Sequence, residues 1–497
     1  MTRQTLYRRT GQTLCLLLAA GCASAPPTEE PDLDVSVPTG WTAADALSQQ
    51  PEQEIEAWWT SFSDPRLDTL ISEALERNRD LVAAAARVDA AVAQARIIGA
   101  DLYPQIGAAI DPARGKRNFI GFPIPGSEGE VLSVTTSTFG AGLNISWEAD
   151  LWGRLSARKG AALAGVEASR AELASAQLSI AGQTAKTWFA VVEAHQQVEL
   201  AEATLASRRL SRERIGRRYQ LGTRSALELR FAMSNEAGAE ASLALRRRQL
   251  DLAKRQLELL LSRYPDADLE QAAGELELPD PPTGVPPGLP SELLTRRPDL
   301  VATERRLAAA GLRIKEARAS LYPQLRLTGS GGTLSSDVGD LLNLDFSVWS
   351  LAASLLQPIY QGGRLRGGVQ LSEANYRELA ESYAQVILRA FGEVESTLAA
   401  EQFLAQQEQA LAVAATQSVE AERLSNERYD AGLVSYLAVL EAQRDAFVAQ
   451  SQHLASRRQR LDARIDLYLA LGGGFDASFV ESDEPGPAPA TTATASR

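Results

Sequence analysis

The sequence predicts an α+β chain written as two tandem copies of one unit: a helix, a strand pair, a long helix, a tight turn and a returning helix. Three observations carry this. Leu102-Tyr103-Pro104-Gln105 recurs as Leu321-Tyr322-Pro323-Gln324, and Arg79-Asp80-Leu81 is answered by Pro298-Asp299-Leu300 at the same displacement of 219. Tyr219-x-x-Gly222-x-x-Ser225 recurs as Tyr429-x-x-Gly432-x-x-Ser435 at 210, where Gly153-Arg154 also matches Gly363-Arg364. Between these anchors run helical stretches from about 154 to 218 and from about 364 to 428, with no proline in the second. Each is a rod of roughly 97 Å at 1.5 Å per residue, far longer than a globular domain needs.

Residues 1–21 read as an export signal: Arg3, Arg8 and Arg9, then an apolar run ending in Leu16-Leu17-Leu18-Ala19-Ala20. Ala20-Gly21-Cys22 resembles the end of a bacterial lipobox, so Cys22 is the candidate acylated first residue of the mature chain, with an ordinary cleaved signal as the alternative. Ala23 stands where an Asp would resemble an inner-membrane retention signal, which favours outer-membrane sorting. Residues 22–65 form the anchored N-terminal linker and 66–263 the first repeat. Its opening helix is expected near 72–100, its strands near 103–115 and 134–149, and its returning helix to about 263. Phe139, Ala141, Leu143, Ile145 and Trp147 alternate with small or polar residues, which is the period of a strand with one apolar face. The first copy is nine residues longer between Gln105 and Gly153, a longer loop.

Residues 264–290 cross between the copies, with six prolines in 279–290. The second repeat, 291–474, places strands near 322–333 and 345–359, followed by the second hairpin. Leu379, Tyr383, Ile387, Ala390, Val394 and Leu398 mark one buried face of its long helix. Residues 475–497, rich in Ala, Pro and Thr, are expected to be a disordered tail. About ten residues of alternating pattern suffice for a tilted strand to cross a bilayer, and no apolar run outside the leader is long enough for a spanning helix. Four strands cannot close a membrane barrel, and open edges in lipid are intolerable, so several chains must share one.

At three places the residues resemble the TolC-like outer-membrane efflux proteins, in the lipoprotein branch called NodT-like. They are Trp58-Trp59-x-x-Phe62-x-Asp64-Pro65-x-Leu67, Ile145-Ser146-Trp147-Glu148-Ala149-Asp150-Leu151-Trp152-Gly153-Arg154, and Gln357-Pro358-Ile359-Tyr360-Gln361-Gly362-Gly363-Arg364. The resemblance implies a homotrimer whose twelve strands, four per chain, form an outer-membrane β-barrel continued by a periplasmic α-helical barrel. It implies a passive exit duct in a tripartite efflux system. Its partners would be a periplasmic adaptor and an inner-membrane pump, commonly of the resistance-nodulation-division class, with outer-membrane lipid around it.

Site residues follow from that resemblance. The turns Leu221-Gly222-Thr223 and Ala431-Gly432-Leu433 would contact adaptor hairpins, although a glycine in a tight turn is also a complete structural explanation. Glu228, six after Gly222, and Glu441, nine after Gly432, match offsets at which relatives place pore-facing acids; a solvated helical face is the alternative. Leu437 could form an apolar constriction or pack internally. Arg224 could pair locally, while Val434 stands where some relatives carry a second latching Arg.

Composition agrees with a non-catalytic, non-nucleic-acid role. Aromatic residues make up 6% of 497, and after removal of the leader only Cys22 remains of two cysteines, so no internal disulfide can form. Removing the three leader arginines takes the net charge from -13 to about -16, which argues against nucleic acid. His195 and His453, the only histidines, stand far apart with no metal-binding spacing and are expected to face solvent; no metal or cofactor is implied. There is no Walker loop, Rossmann fingerprint or nucleophile elbow, so an enzyme has almost nothing behind it. A type I secretion duct for polypeptides is the rival within the family. A periplasmic adaptor or structural tether is the rival outside it, but an adaptor has one helical hairpin and this chain has two.

Overall fold

The computed structural model describes residues 37–42, 57–118, 133–269, 274, 276–282 and 290–474. Cys22 with its leader, most of the N-terminal linker, part of the linker between copies and the tail after Gly474 lie outside the described residues.

The two copies run in step along the chain. The first holds α1 (Pro65–Arg77), α2 (Arg79–Ala100), β1 (Gln105–Asn118), β2 (Ser133–Ala149), α3 (Arg154–Gln220) and α4 (Ala226–Leu260). The second holds α5 (Pro290–Arg296), α6 (Pro298–Ala319), β3 (Gln324–Ser335), β4 (Ser347–Leu356), α7 (Arg364–Asp430) and α8 (Tyr436–Ala470). Each long helix has 67 residues and each returning helix 35, shorter than the expected return because Ser225 and Ser435 hold the cap positions beyond the turns.

One expectation needs correction: the opening helix is two helices in both copies. Asn78 ends α1, and its side-chain carbonyl accepts from the backbone N–H groups of Asp80 at 2.9 Å and Leu81 at 3.3 Å, capping α2. Its amide donates to the Leu260 carbonyl at 2.9 Å, so the break also ties α4 in place. In the second copy Arg297 takes this place. Pro298 fixes the first turn of α6, and the guanidinium donates to Asp299 at 2.7 Å and Glu393 at 2.6 Å.

The chain divides into two compact units. In the described residues the larger one comprises 37–42 with 57–89, 167–304 and 382–474, and holds the helical core. Asp64 explains the first family-like motif: its carboxylate caps α1 through the Arg66 N–H at 2.9 Å and accepts from the Trp188 indole at 2.7 Å. Trp58 stacks on Tyr468 with centroids 5.4 Å apart, so the motif clamps the N-terminal segment onto α3 and α8. Ile387, Ala390, Val394 and Leu398 are buried, as the periodicity of α7 requires.

The smaller unit, in the described residues of 90–166 and 305–381, carries a four-stranded antiparallel sheet, ordered β1-β2-β3-β4. The other two motifs turn its strands into helices. Trp147 donates to the Leu102 carbonyl at 2.9 Å, Asp150 caps α3 through the Leu155 and Ser156 N–H groups, and Trp152 donates to the Pro323 carbonyl at 2.8 Å. Gln357 makes the matching bond to the Leu321 carbonyl at 3.1 Å. The last strand is shorter than expected, because residues Leu344–Phe346 form a turn of 3₁₀ helix before it.

Candidate functional site

The sheet sorts its residues by face. Cross-strand register puts Ile106 opposite Ile145, Ile145 opposite Gly329, and Gly329 opposite Leu351, all on one face. Six such rows, from Ala149-Leu325-Leu355 to Pro112-Phe139, carry no charge. The other face carries Glu148 opposite Arg326, and Ser330 hydrogen-bonded to Ser350 at 2.8 Å. Among the described residues nothing covers the apolar face: Trp349 is 82% exposed, Leu351 80% and Ile110 69%. Among the described residues, edges β1 and β4 have no partner strand.

At Gly332 a β-carbon would lie 2.2 Å from the Ala141 carbonyl oxygen and 2.5 Å from Gly142 Cα. Only glycine allows β2 and β3 to approach this closely on the polar face, the kind of corner that curls a sheet toward a barrel. A bare sheet with two open edges, one greasy face and one polar face has no core of its own. It is stable in lipid when its edges are closed by further strands.

The turn ends of the two hairpins lie in the larger unit and repeat one geometry. Gly222 (φ 75°) and Gly432 (φ 78°) take the left-handed conformation. The Thr223 N–H then reaches back to the Arg218 carbonyl and the Leu433 N–H to the Arg428 carbonyl, each at 2.9 Å. Leu221 and Leu433 stand about three-quarters exposed at the tips, and Thr223 and Ala431 are exposed beside them.

Behind the tips, Ile215, Ala232, Tyr429, Tyr436 and Val439 pack as one cluster drawn from all four helices of the hairpin pair. Arg224 crosses between the hairpins: its guanidinium donates to the Tyr429 carbonyl at 3.3 Å and lies 4.4 Å from that ring's centre. Glu228 is engaged within its own chain. Its carboxylate accepts from the Ser225 N–H, the Ser225 hydroxyl accepts from the Glu228 N–H, and Arg224 stands 3.8 Å away. Leu437 and Glu441, one turn apart on α8, are both exposed and lie off the cluster, so internal packing within the chain does not explain Leu437.

Arg208, Gln443 and Asn235 were not singled out by sequence, yet they join the hairpins below the cluster. Arg208, 5% exposed, donates to the Gln443 carbonyl at 3.1 Å and lies 3.6 Å from Glu422; the Gln443 side chain accepts from Asn235 at 3.2 Å. Burial lowers the pKa of Arg208 and raises that of Glu422, with each charge opposing the other's shift. A signal existed: in the row Val198, Ala201, Leu205, Arg208, Arg212, Ile215, two arginines interrupt an apolar helical period. The histidines differ from expectation, since both are half-buried, with His195 Nδ1 at 3.6 Å from Glu199.

Comparison with known proteins gives the same picture for nearly the whole chain. The profile of a family described as "Outer membrane efflux protein" matches residues 70–263 and 289–473. The pyoverdine export outer membrane protein OpmQ of Pseudomonas putida is 34% identical over 93% of this chain and 98% of its own length. Outer membrane protein OprJ of Pseudomonas aeruginosa is 33% identical over 93% of this chain and 95% of its own. Among solved structures, the Campylobacter jejuni CmeC outer membrane channel superposes with a TM-score of 0.82 at 25% identity, covering 92% of this chain and 96% of that one.

Proposed function

The chain belongs to the outer membrane efflux protein family, and from that premise we propose that three copies share one barrel and pass solutes outward through it without chemistry of their own. Its role is that of the outer-membrane channel of an efflux system. The observation that carries the reading is the bare four-stranded sheet, apolar on one face over six rows and polar on the other, with β1 and β4 open. Three such sheets joined edge to edge satisfy every strand hydrogen bond and leave a polar lumen. The helical hairpins then serve the periplasmic side, where Leu221-Gly222-Thr223 and Ala431-Gly432-Leu433 offer small, weakly polar tips to an adaptor's helices. An inner-membrane pump, of the resistance-nodulation-division class, supplies energy and substrate choice.

For the gate, we assign Leu437 as the constriction and Glu441 as a ring of like charge when three copies meet on an axis. Glu228, held by Ser225 and Arg224, is the weaker contributor. Cys22, acylated, would anchor each chain to the membrane.

The test is export. The gene, expressed with its cognate adaptor and pump in a strain lacking its own outer-membrane channel, should restore resistance to toxic solutes, and the purified protein should form conducting pores in planar bilayers. Protein that inserts into bilayers yet neither conducts nor restores export contradicts the reading.

A further inference from the structure

We propose that Arg114 and Lys116 form a binding site for the phosphate groups of a phosphorylated outer-leaflet lipid headgroup; the proposal rests on the channel reading, because it takes the sheet as membrane-spanning.

The charge-free rows run along β2 from Ala149 to Phe139. At ~3.3 Å per residue and a strand tilt of about 40°, that is roughly 25 Å, the height of the apolar band of an outer-membrane barrel. The next two positions on the same face of β1 are Arg114, opposite Ser137, and Lys116, opposite Thr135. They stand about 5 and 10 Å beyond the band, in the polar headgroup layer and at its outer rim.

The pattern is selective as well as well placed. Across all four strands, Arg114 and Lys116 are the only charged residues on the apolar face, and both are cations. Both are exposed, and the residues opposite them offer hydroxyls, which add donors to a phosphate. A guanidinium binds phosphate through two parallel N–H bonds, while an ammonium about 7 Å along the strand adds a mobile point charge.

The two ends of the sheet differ in chemistry. At the end where α2, α3, α6 and α7 join the strands, Trp152 stacks on Tyr322 at 5.1 Å, and Tyr103, just before β1, and Tyr360, just after β4, are exposed. Two arginines there have carboxylate partners, Arg154 with Glu148 at 2.7 Å and Arg318 with Glu373 at 2.8 Å. At the opposite end, which the channel reading places in the outer leaflet, the apolar strand face carries the two cations, while the acids of that end, Asp337, Asp340 and Asp345, belong to the connection between β3 and β4. An outer leaflet of phosphorylated glycolipid is the anionic surface that such an end meets.

The experiment uses the full-length assembly in detergent. It is given bisphosphorylated lipid A or the same lipid stripped of phosphate. Bound lipid is counted by native mass spectrometry, and pore conductance is recorded from the same preparation. The wild type should retain the phosphorylated lipid in preference. R114Q/K116Q should weaken that retention about 30-fold, leaving the phosphate-free lipid and the conductance unchanged, and R114K/K116R should keep most of it. Equal retention of the two lipids by the wild type, or undiminished retention by R114Q/K116Q, overturns the headgroup site while the conductance stands. A wild-type assembly that inserts without conducting overturns the channel reading instead.

Discussion

Arg224 and Tyr429 belong to different hairpins, and the guanidinium of the first lies 4.4 Å from the ring centre of the second while donating to its backbone carbonyl at 3.3 Å. The turn of the first hairpin is thereby bolted to the end of α7 in the second. A cation over an aromatic ring contributes about 0.5–2 kcal/mol, so Arg224→Gln or Tyr429→Ala should raise the resting open probability of the pore by roughly two- to thirtyfold. Tyr429→Phe, which keeps the ring, should not. Single-channel recording of the three variants reads this directly; identical open probabilities would remove the bolt from the account of gating.

The bare face of α8 carries Leu437 and Glu441 one turn apart, and the helical period presents both in one direction. Glu441→Ala should reduce cation preference in reversal-potential measurements, whereas Leu437→Ser should raise conductance with little change in selectivity. Glu228→Ala should act differently. Ser225 keeps its cap on the backbone N–H of residue 228, and losing the carboxylate half of the capping box costs roughly 0.3–1 kcal/mol, so the expected result is a small drop in thermal stability and a selectivity change smaller than that of Glu441→Ala. Unchanged ion preference in Glu441→Ala would show that the acid is only a solvated face.

Asp462 supplies the pH dependence. Burial, opposed by Arg458 and Lys186 and aided by Asp466 and Glu193, pushes its pKa up from 3.8 to about 6. A raised carboxyl pKa means the folded state holds the proton more tightly. The contribution is therefore most favourable below pH 3.8 and is lost as pH rises through about 6. Asp462→Asn should accordingly raise the melting temperature at pH 7.5 and have little effect at pH 4, where the wild type is itself largely protonated there. A variant equally stabilised at both values would point to packing in place of titration.

Much of the fold was legible because repetition fixes register: the displacement of 210 that matched Gly222 to Gly432 also pairs Ser262 with Gly472, and both are left-handed. Ser262 hid that equivalence, since a non-glycine residue carries the same cap at a cost in strain. The break at Asn78 is hidden in the sequence because an apolar period continues through it; the cap lies in a side chain that reads equally well as a solvent-facing amide. Ser225-Ala226-Leu227-Glu228 was the opposite case. It is a capping-box signature visible in the residues, and the structure forms the box in full. Arg208 and Gln443 escaped because buried polar residues are defined by partners over 200 positions apart.

Cys22 is testable without structure. Mass spectrometry of the detergent-extracted protein should find an acylated N-terminal cysteine and no residue before it. Cys22→Ser in a processed variant should still insert, because a shared barrel buries far more apolar surface than acyl chains do. An unmodified terminus in the wild type would remove the anchor.

On the proposed reading, three chains close one barrel by joining β1 of each to β4 of the next. Cysteines placed on the polar face at Ala109 in β1 and, one at a time, at Ser350, Ala352 or Ser354 in β4 sample three successive rows of that junction. Mild oxidation of the membrane-inserted protein, followed by denaturing electrophoresis, should give for at least one pair a covalent ladder ending at three times the chain mass. No inter-chain bond at any of the three rows, or a ladder ending at two, would contradict it.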